Sequence, residues 1–513
     1  MSELPKSWVD CQLEEILLAL ESGSRPKGGV RNINEGIPSI GGEHLNYRGS
    51  FNFSNVRYVP KTFADKMTKG KIQIEDILVV KDGATTGKTA MVNEFFPFNE
   101  AVVNEHVFIC RTSKLIDPKF VFRFLTSKDG QNNILENFQG SAQGGINTKF
   151  VSNTTIPLAP LNEQKRIVKK LDKLLTQVDE SKRRLEKIPV IIKRFRQSVL
   201  NAAVTGELTK DWREKNDLFF DEEELLNLRE NIYLEKFDVS KAKKIINSES
   251  KEFTLLIRDD LPNGWKFINL YYLSDPTRAF SYGVIKLGNE TKNGISCLRT
   301  SNLKVLYIDF TNVKKISREI ADNYHRTYLR GNELLISVRG TLGGICVVPP
   351  IAKGFNISRE IAMVAILEKL INPYYVAIYI ASGVAQSWLK EVYKGVAYTG
   401  INIEDLKNLP ISVPSLEEQK EIVKRVKALF KKADEIEERY KKAKAYVDKL
   451  TQSILAKAFR GELVPQDPSD EPAEKLLERV KAEKEKVSKE NGKRKKVIEE
   501  LIKKHPKAMK KLS

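Results

Sequence analysis

The sequence predicts a mixed α/β (α+β) fold built twice in tandem. Each copy is a globular domain followed by a long helix, and the two helices form an antiparallel coiled coil with pseudo-twofold symmetry. Three observations carry this reading. Leu4-Pro5-Lys6-Ser7-Trp8 returns as Leu261-Pro262-Asn263-Gly264-Trp265, and the stretch from Asp76 to Gly83 returns as the stretch from Glu333 to Gly340, both 257 residues later. Asp117-Pro118 returns as Asn372-Pro373 and Gly145-Ile146-Asn147 as Gly400-Ile401-Asn402, 255 residues later. The stretch from Leu161 to Ala203 can be laid over that from Leu416 to Ala458, both with helical periodicity. An internal repeat of this length defines architecture before any local reading does.

In chain order, residues 1–160 form the first globular domain. Ile77 to Val80 and Val107 to Cys110 read as short strands, each an apolar run ended by a polar or glycine break. Asp117-Pro118 ahead of Phe120, Val121, Phe124 and Leu125 reads as an N-cap, a first-turn proline and an apolar helix face. Residues 161–208 form the first long helix. Ile167, Leu171, Leu174, Val178, Ser181, Leu185, Ile188, Ile192, Phe195, Val199 and Ala202 follow one another at steps of four and three, the spacing of a coiled-coil seam. Pro189 predicts a kink in it.

Residues 209–257 are a charged connector, helical over Asp221 to Phe237 and flexible beyond. Residues 258–414 repeat the globular domain and residues 415–463 repeat the helix. Its seam runs through Ile422, Val426, Leu429, Ala433, Ile436, Tyr440, Ala443, Val447, Leu450 and Ile454. Ser415 and Glu418 predict a capping box at its start, and Gly206 and Gly461 predict matched C-caps. Residues 464–513 are a tail dense in charge, which reads as a solvated helix or a disordered segment.

Composition narrows the function. With 86 Lys and Arg against 67 Asp and Glu, the net charge of +19 points to a polyanionic partner. No apolar run approaches the ~18 residues of a membrane span and no signal peptide opens the chain, which predicts a soluble, cytoplasmic protein with no membrane partner. Cys11, Cys110, Cys297 and Cys346 are scattered, as are the four histidines, so they read as reduced core thiols and not as metal ligands.

Two motifs point toward other chemistry and fail on spacing or context. Gly83-Ala84-Thr85-Thr86-Gly87-Lys88-Thr89 has three residues where a phosphate-binding loop needs four, and Gly340-Thr341-Leu342-Gly343-Gly344 has no lysine. Asn372-Pro373-Tyr374-Tyr375 is similar to the base-holding loop of amino-methyltransferases, yet its repeat partner Asp117-Pro118-Lys119-Phe120 marks it as a duplicated helix cap. No glycine-rich turn for S-adenosylmethionine and no GxSxG or HExxH accompanies it, so the chain reads as a binder with no catalytic, cofactor or metal residue of its own.

Two unlike domains opening with Leu-Pro-x-x-Trp, a strand ending in a basic residue and glycine, and a Glu-Gln-Lys helix closing each unit with Gly-Glu-Leu together resemble the specificity (S) subunit of a Type I restriction-modification system. The resemblance covers residues 1–210 and 258–465, and is strongest at Glu163-Gln164, Glu418-Gln419 and the two Gly-Glu-Leu stops. It implies a non-catalytic subunit that reads double-stranded DNA. Each globular region would be a target-recognition domain, and the helices a spacer docking two modification (methyltransferase) subunits. Restriction (translocase/endonuclease) subunits would join them, and S-adenosylmethionine, ATP and Mg would belong to those partners. The alternatives are a self-contained two-domain DNA methyltransferase and a purely structural helical scaffold.

A 43-residue helix is ~65 Å long, which bounds the separation of two readers near ~19 base pairs. The domains differ at Ser141-Ala142-Gln143-Gly144 against Val396-Ala397-Tyr398-Thr399, which predicts two different half-sites. Candidate DNA-binding residues are the cationic, hydroxyl and amide side chains near the glycine turns. In the first domain these are Arg25, Lys27, Lys81, Thr85, Thr86, Lys88 and Gln143. In the second they are Arg278, Tyr282, Lys286, Arg299, Arg339, Thr341 and Tyr398.

Overall fold

The computed structural model describes residues 4–30, 33–46, 49–140, 144–253, 261–278, 280–339, 343–394 and 400–504, without the side chains of 250, 251, 393, 394 and 491–504. It divides into two compact units, residues 1–185 with 442–513, and residues 186–441. Each unit therefore joins one globular domain to part of both long helices.

In the first unit, Ile77–Val80 lies inside a four-stranded antiparallel sheet ordered Leu17–Ser22, Val107–Thr112, Ile77–Val80, Thr89–Met91. The strand is a continuous apolar run because both faces are covered. Ile77 and Val79 enter one core with Phe108, Phe120 and Phe150, while Leu78 and Val80 enter another with Ile40, Val103 and Ile109. A three-stranded sheet ordered Arg57–Val59, Ile37–Ile40, Val102–Val103 contains a parallel pair, and Val9–Gln12 pairs with Thr155–Leu158. Asp117 caps Pro118–Leu125, its carboxylate accepting from the backbone N–H of Lys119 at 2.9 Å.

The second unit repeats this topology strand for strand. Ser281–Tyr282, Ile361–Val364, Leu334–Ser337 and Ile345–Val347 form the four-stranded sheet. Lys314–Ile316, Ile295–Leu298 and Asn356–Ile357 form the three-stranded one, and Lys266–Asn269 pairs with Pro410–Val413. With mostly antiparallel ladders and segregated helices, each domain is α+β. Asn372 caps Pro373–Ala381 and accepts from Tyr374 N at 3.0 Å, so this Asn-Pro pair serves as a helix cap.

The sequence repeats that flag the duplication are tied together by buried hydrogen bonds. In the first unit the Trp8 indole N–H donates to Glu163 at 3.0 Å, and Gln466 donates to the other oxygen of the same carboxylate at 2.6 Å. In the second, Trp265 donates to Glu418 at 2.9 Å, joined by Thr209 at 2.7 Å and Arg213 at 2.6 Å. Gln164 and Gln419 accept from the backbone N–H of Asp117 and Asn372, so the Glu-Gln pair fixes each long helix to its own domain. Gly206 and Gly461 adopt left-handed φ of 77° and 74°, as C-caps should. A Cβ there would stand 2.5 Å from Pro262 Cγ and 2.3 Å from Pro5 Cγ.

Several expectations are corrected. The kink expected at Pro189 is found as a break, Leu161–Leu185 and Ile188–Val204 being separate helices with Pro189 in the first turn of the second, so the single helix expected over 161–208 is not formed, whereas Leu416–Phe459 is unbroken. Ser415 caps Glu418 N, but the Glu418 side chain turns to Trp265 and Arg213, leaving half a capping box. The seam is buried at Ile167, Leu171, Val178, Ile192, Val199, Ile422, Val426, Ala433 and Ile454, yet Phe195 and Ile436 are 39% and 50% exposed.

The later connector is a capped helix, Val239–Glu252, where charge density had suggested flexibility. It carries Glu249, which neutralises the buried guanidinium of Arg229 at 2.9 Å, while Arg229 also donates to the carbonyl oxygens of Tyr272 and Ser274. The tail helix Ala473–Lys504 is not fully solvated either. Ala473, Leu476, Leu477 and Val480 are buried in the first unit's core, and Lys481 pairs with Glu15 at 2.9 Å.

Candidate nucleic-acid interface

Both domains present one backbone frame around the turn that follows the inner strand. In the first domain Lys81 N donates to His106 O at 2.8 Å, Ile146 N donates to Lys81 O at 2.7 Å, and Asp82 bridges Gly145. In the second domain Val338 N donates to Glu360 O at 2.9 Å, Ile401 N donates to Val338 O at 2.9 Å, and Arg339 bridges Gly400. A third strut is shared. A Cβ on Gly23 would lie 1.6 Å from Val103 O and one on Gly283 1.9 Å from Ile357 O, so only glycine allows the loops to approach there.

The frame gathers several of the candidate residues. Arg25 Nε lies 2.8 Å from Glu105, close enough to pair although the angle makes no hydrogen bond. Lys81 donates to the Glu105 carbonyl at 3.1 Å and stands 4.0 Å from Asp82. Thr86 closes the Gly83 turn by donating to Gly83 O at 2.7 Å; Thr85 and Lys88 are half-buried in the same turn, and Lys27 is exposed. Because this turn leads into the strand Thr89–Met91 and not into a helix, it lacks the geometry of a phosphate-binding loop.

In the second domain, Arg339 sits in the frame and the Tyr282 hydroxyl reaches Ile401 O at 3.5 Å. Lys286 is exposed on the neighbouring loop. Arg299 donates to Asn312 O at 3.0 Å and holds a buried Nε without a hydrogen bond. Arg278 is drawn away from the frame. It pairs with the buried Glu333 at 2.5 Å and donates to Tyr328 O, the role that Arg111 performs for Asp76 at 2.8 Å in the first domain. Gln143, Thr341 and Tyr398 lie outside the described residues.

Sequence reasoning passed over the partners that complete the frame. Asp82, Glu105 and His106 in the first domain and Arg359 and Glu360 in the second stand beside the strands Val107–Thr112 and Ile361–Val364. His106 Nδ1 lies 2.6 Å from Asp82 Oδ1 and its Nε2 3.3 Å from Glu105, while Arg359 Nε lies 3.3 Å from Glu360. Their signal in the sequence was weak, because the repeat offset slips from 257 at Ile77–Val80 to 256 at Thr89–Met91 and 254 at Val107–Thr112.

Burial drives the cysteines away from reactivity. All four are free and buried, and desolvation pushes Cys11, Cys297 and Cys346 up to about 12. Among the described residues no group of His, Cys, Asp and Glu could hold a metal ion, and no helix is long and apolar enough to cross a membrane.

The family model of the Type I restriction modification DNA specificity domain matches residues 5–190 and again 280–445. The chain belongs to this family of Type I specificity proteins. Among its members, the EcoKI specificity subunit of Escherichia coli K12 is 30% identical over 498 residues, covering 94% of this chain and 96% of that one. The EcoBI specificity subunit of Escherichia coli is 39% identical over 346 residues, 66% of each chain. The HsdS subunit from Thermoanaerobacter tengcongensis shares the fold with a TM-score of 0.55 at 19% identity, covering 90% of this chain and 98% of that one. A chain from a structural study of assembly and conformational transition of the type I R-M system has a TM-score of 0.57, also at 19% identity, covering 90% and 100%. In this Type I specificity protein both units carry the Trp–Glu and Gln–backbone ties, and the shared frame bears different side chains in the two domains.

Proposed function

We propose that this Type I specificity protein is the non-catalytic DNA-recognition subunit of a restriction-modification complex, reading a bipartite, asymmetric target with one half-site for each domain. The observation that carries the reading is the repeated backbone frame with unlike side chains, Lys81-Asp82 in one domain and Val338-Arg339 in the other. A common scaffold with different base-facing groups is what two different half-sites require. The net charge of +19 suits a polyanionic partner.

The long helices serve as the spacer in this proposal. Within one unit Ile167, Leu171 and Val178 share a core with Ile454, Leu455 and Ala458. Within the other, Val199, Leu200 and Ala203 share one with Ile422, Val423 and Val426. The start of one helix thus meets the end of the other, which favours an antiparallel coiled coil with pseudo-twofold symmetry. Its repeated outer surfaces would dock two modification subunits, with restriction subunits joining them and S-adenosylmethionine, ATP and Mg used by those partners. Such a complex would act in the cytoplasm.

The test is a domain exchange in the assembled complex. Replacing residues 5–155 with the matching domain of another family member should change one half of the methylated target and leave the other. A change in both halves, or in neither, refutes modular reading. Inserting one helical turn near residues 205–208 should alter the spacer preference with the half-sites intact, and an unaltered spacer refutes the ruler. Methyl transfer by the purified chain alone would favour the methyltransferase alternative.

A further inference from the structure

The shared frame allows the two domains to be compared position by position where they differ most in charge. The main-chain hydrogen bonds that match Lys81 with Val338 also match Asp82 with Arg339, Glu105 with Arg359 and His106 with Glu360. Two residues past the matched glycines, Arg25 in the first domain is answered by Ile285, which is 57% exposed. Where the first domain carries two carboxylates the second carries two guanidiniums.

In the first domain the groups form a row. His106 lies between Asp82 and Glu105, Arg25 stands against Glu105, and Lys81 stands behind Asp82. The carboxylate oxygens of Glu105 are shielded and accept no hydrogen bond among the described residues, whereas Asp82 gives one oxygen to His106 and has its other oxygen 4.0 Å from Lys81. His106 thereby positions Asp82 with hydrogen-bond acceptor capacity to spare. In the second domain Arg339 and Arg359 are donors only, with Glu360 beside Arg359. These are partly exposed pairs, which contribute little to stability, so their arrangement calls for another explanation.

We propose that these matched positions are the base-reading set of the two domains and that their hydrogen-bond polarity is inverted. In the first half-site Asp82, held by His106, accepts from the exocyclic amino group of a cytosine. In the second, Arg339 and Arg359 donate to O6 and N7 of a guanine. The inference rests on the DNA-reading function above and deepens it by naming the atoms read.

The test uses the complete complex with its modification subunits, assayed for methylation across DNA libraries randomised in one half-site at a time. Unmodified complex should prefer cytosine at one position of the first half and guanine at one position of the second. Combining Asp82→Arg, Glu105→Arg and His106→Glu writes the second set into the first domain, and should turn the cytosine preference into a guanine preference while the second half stays as it was. Asp82→Asn should move the first preference from cytosine toward adenine, and Arg359→Gln should weaken the guanine preference in the second half alone by ~10-fold or more. If the triple variant does not assemble, the two single variants decide. Unchanged base preferences in both single variants would overturn the inference while leaving the DNA-reading function standing. An unmodified complex with no sequence preference would instead refute that function.

Discussion

The same substitution placed at the two buried glutamates that anchor the long helices should have unequal effects. Glu418 accepts from Trp265, Thr209 and Arg213, and the Arg213 side chain is only 17% exposed. Glu418→Gln keeps the shape and an acceptor for the indole but leaves that guanidinium without its counter-charge. Breaking a buried ion pair costs about 3 to 5 kcal/mol. Arg213 retains a bond to Gly206 O and a position over the Trp265 ring, so the lower end applies, ~3 kcal/mol. Glu163, by contrast, is hydrogen-bonded among the described residues only by the neutral Trp8 and Gln466, and burial raises its carboxyl above the usual range despite them. Glu163→Gln should cost ~1 kcal/mol or less. Hydrogen exchange of the adjoining ladders reads each unit separately. Amides of Lys266–Asn269 and Pro410–Val413 should open ~100-fold more readily in Glu418→Gln, against ~5-fold or less for Val9–Gln12 and Thr155–Leu158 in Glu163→Gln. Equal effects, or the reverse order, would refute the assignment of the extra stability to Arg213.

The acid response should also differ between the two units. Burial works against an ionised Glu249, but hydrogen bonds from Arg229, Tyr233 and Tyr271 outweigh it and hold the carboxyl below the usual range. Its contribution is therefore fully present above the unfolded value of ~4.3 and lost as pH falls below it, and exchange of Glu222–Lys236 should accelerate there in the unmodified chain but not in Glu249→Gln. Glu163 has the opposite sign, its raised carboxyl making the first unit gain stability as pH falls toward ~4.3, a gain that Glu163→Gln should abolish in acid-dependent urea melts. Gly461→Ala forces a Cβ into Pro5 at a left-handed φ and should lower the melting temperature by several degrees, corresponding to ~1 to 2 kcal/mol; an unchanged calorimetric transition counts against that packing. Truncation after residue 471 removes Leu476, Leu477 and Val480 from the core and should strip exchange protection from Leu13–Ile16, with no loss if the tail is only solvated.

Much of the fold was legible because repetition turns weak local signals into paired ones. Gly206 and Gly461 confirm each other as caps, and Asp117 and Asn372 as helix starts, where either alone would be ambiguous. The connector and tail were misread because charge density says nothing of burial. Arg229 and Glu249 are buried as a pair, and four small or apolar residues suffice to dock the tail helix. The exposure of Phe195 and Ile436 was hidden for a related reason, since heptad spacing gives a residue a register but not a depth of burial. At the candidate interface, basic residues near glycine turns could be named from the sequence, while Asp82, Glu105 and His106 were passed over. A search for cations overlooks the carboxylates that a cation-rich surface also contains. Arg278 was misplaced because its buried partner Glu333 precedes the strand in sequence and nothing local marks it as paired.

Pro5 resting on Gly461 has its counterpart in Pro262 resting on Gly206, with Gln466 beside the first glycine where Arg213 stands beside the second. In each unit the segment that opens the globular domain thus rests on the glycine that ends a long helix. A chain opened within the connector and joined instead between the tail and Leu4 should thread the same ladders and the same Trp–Glu ties. Such a chain would carry its two domains in the opposite order along the polypeptide with both proline–glycine joints kept.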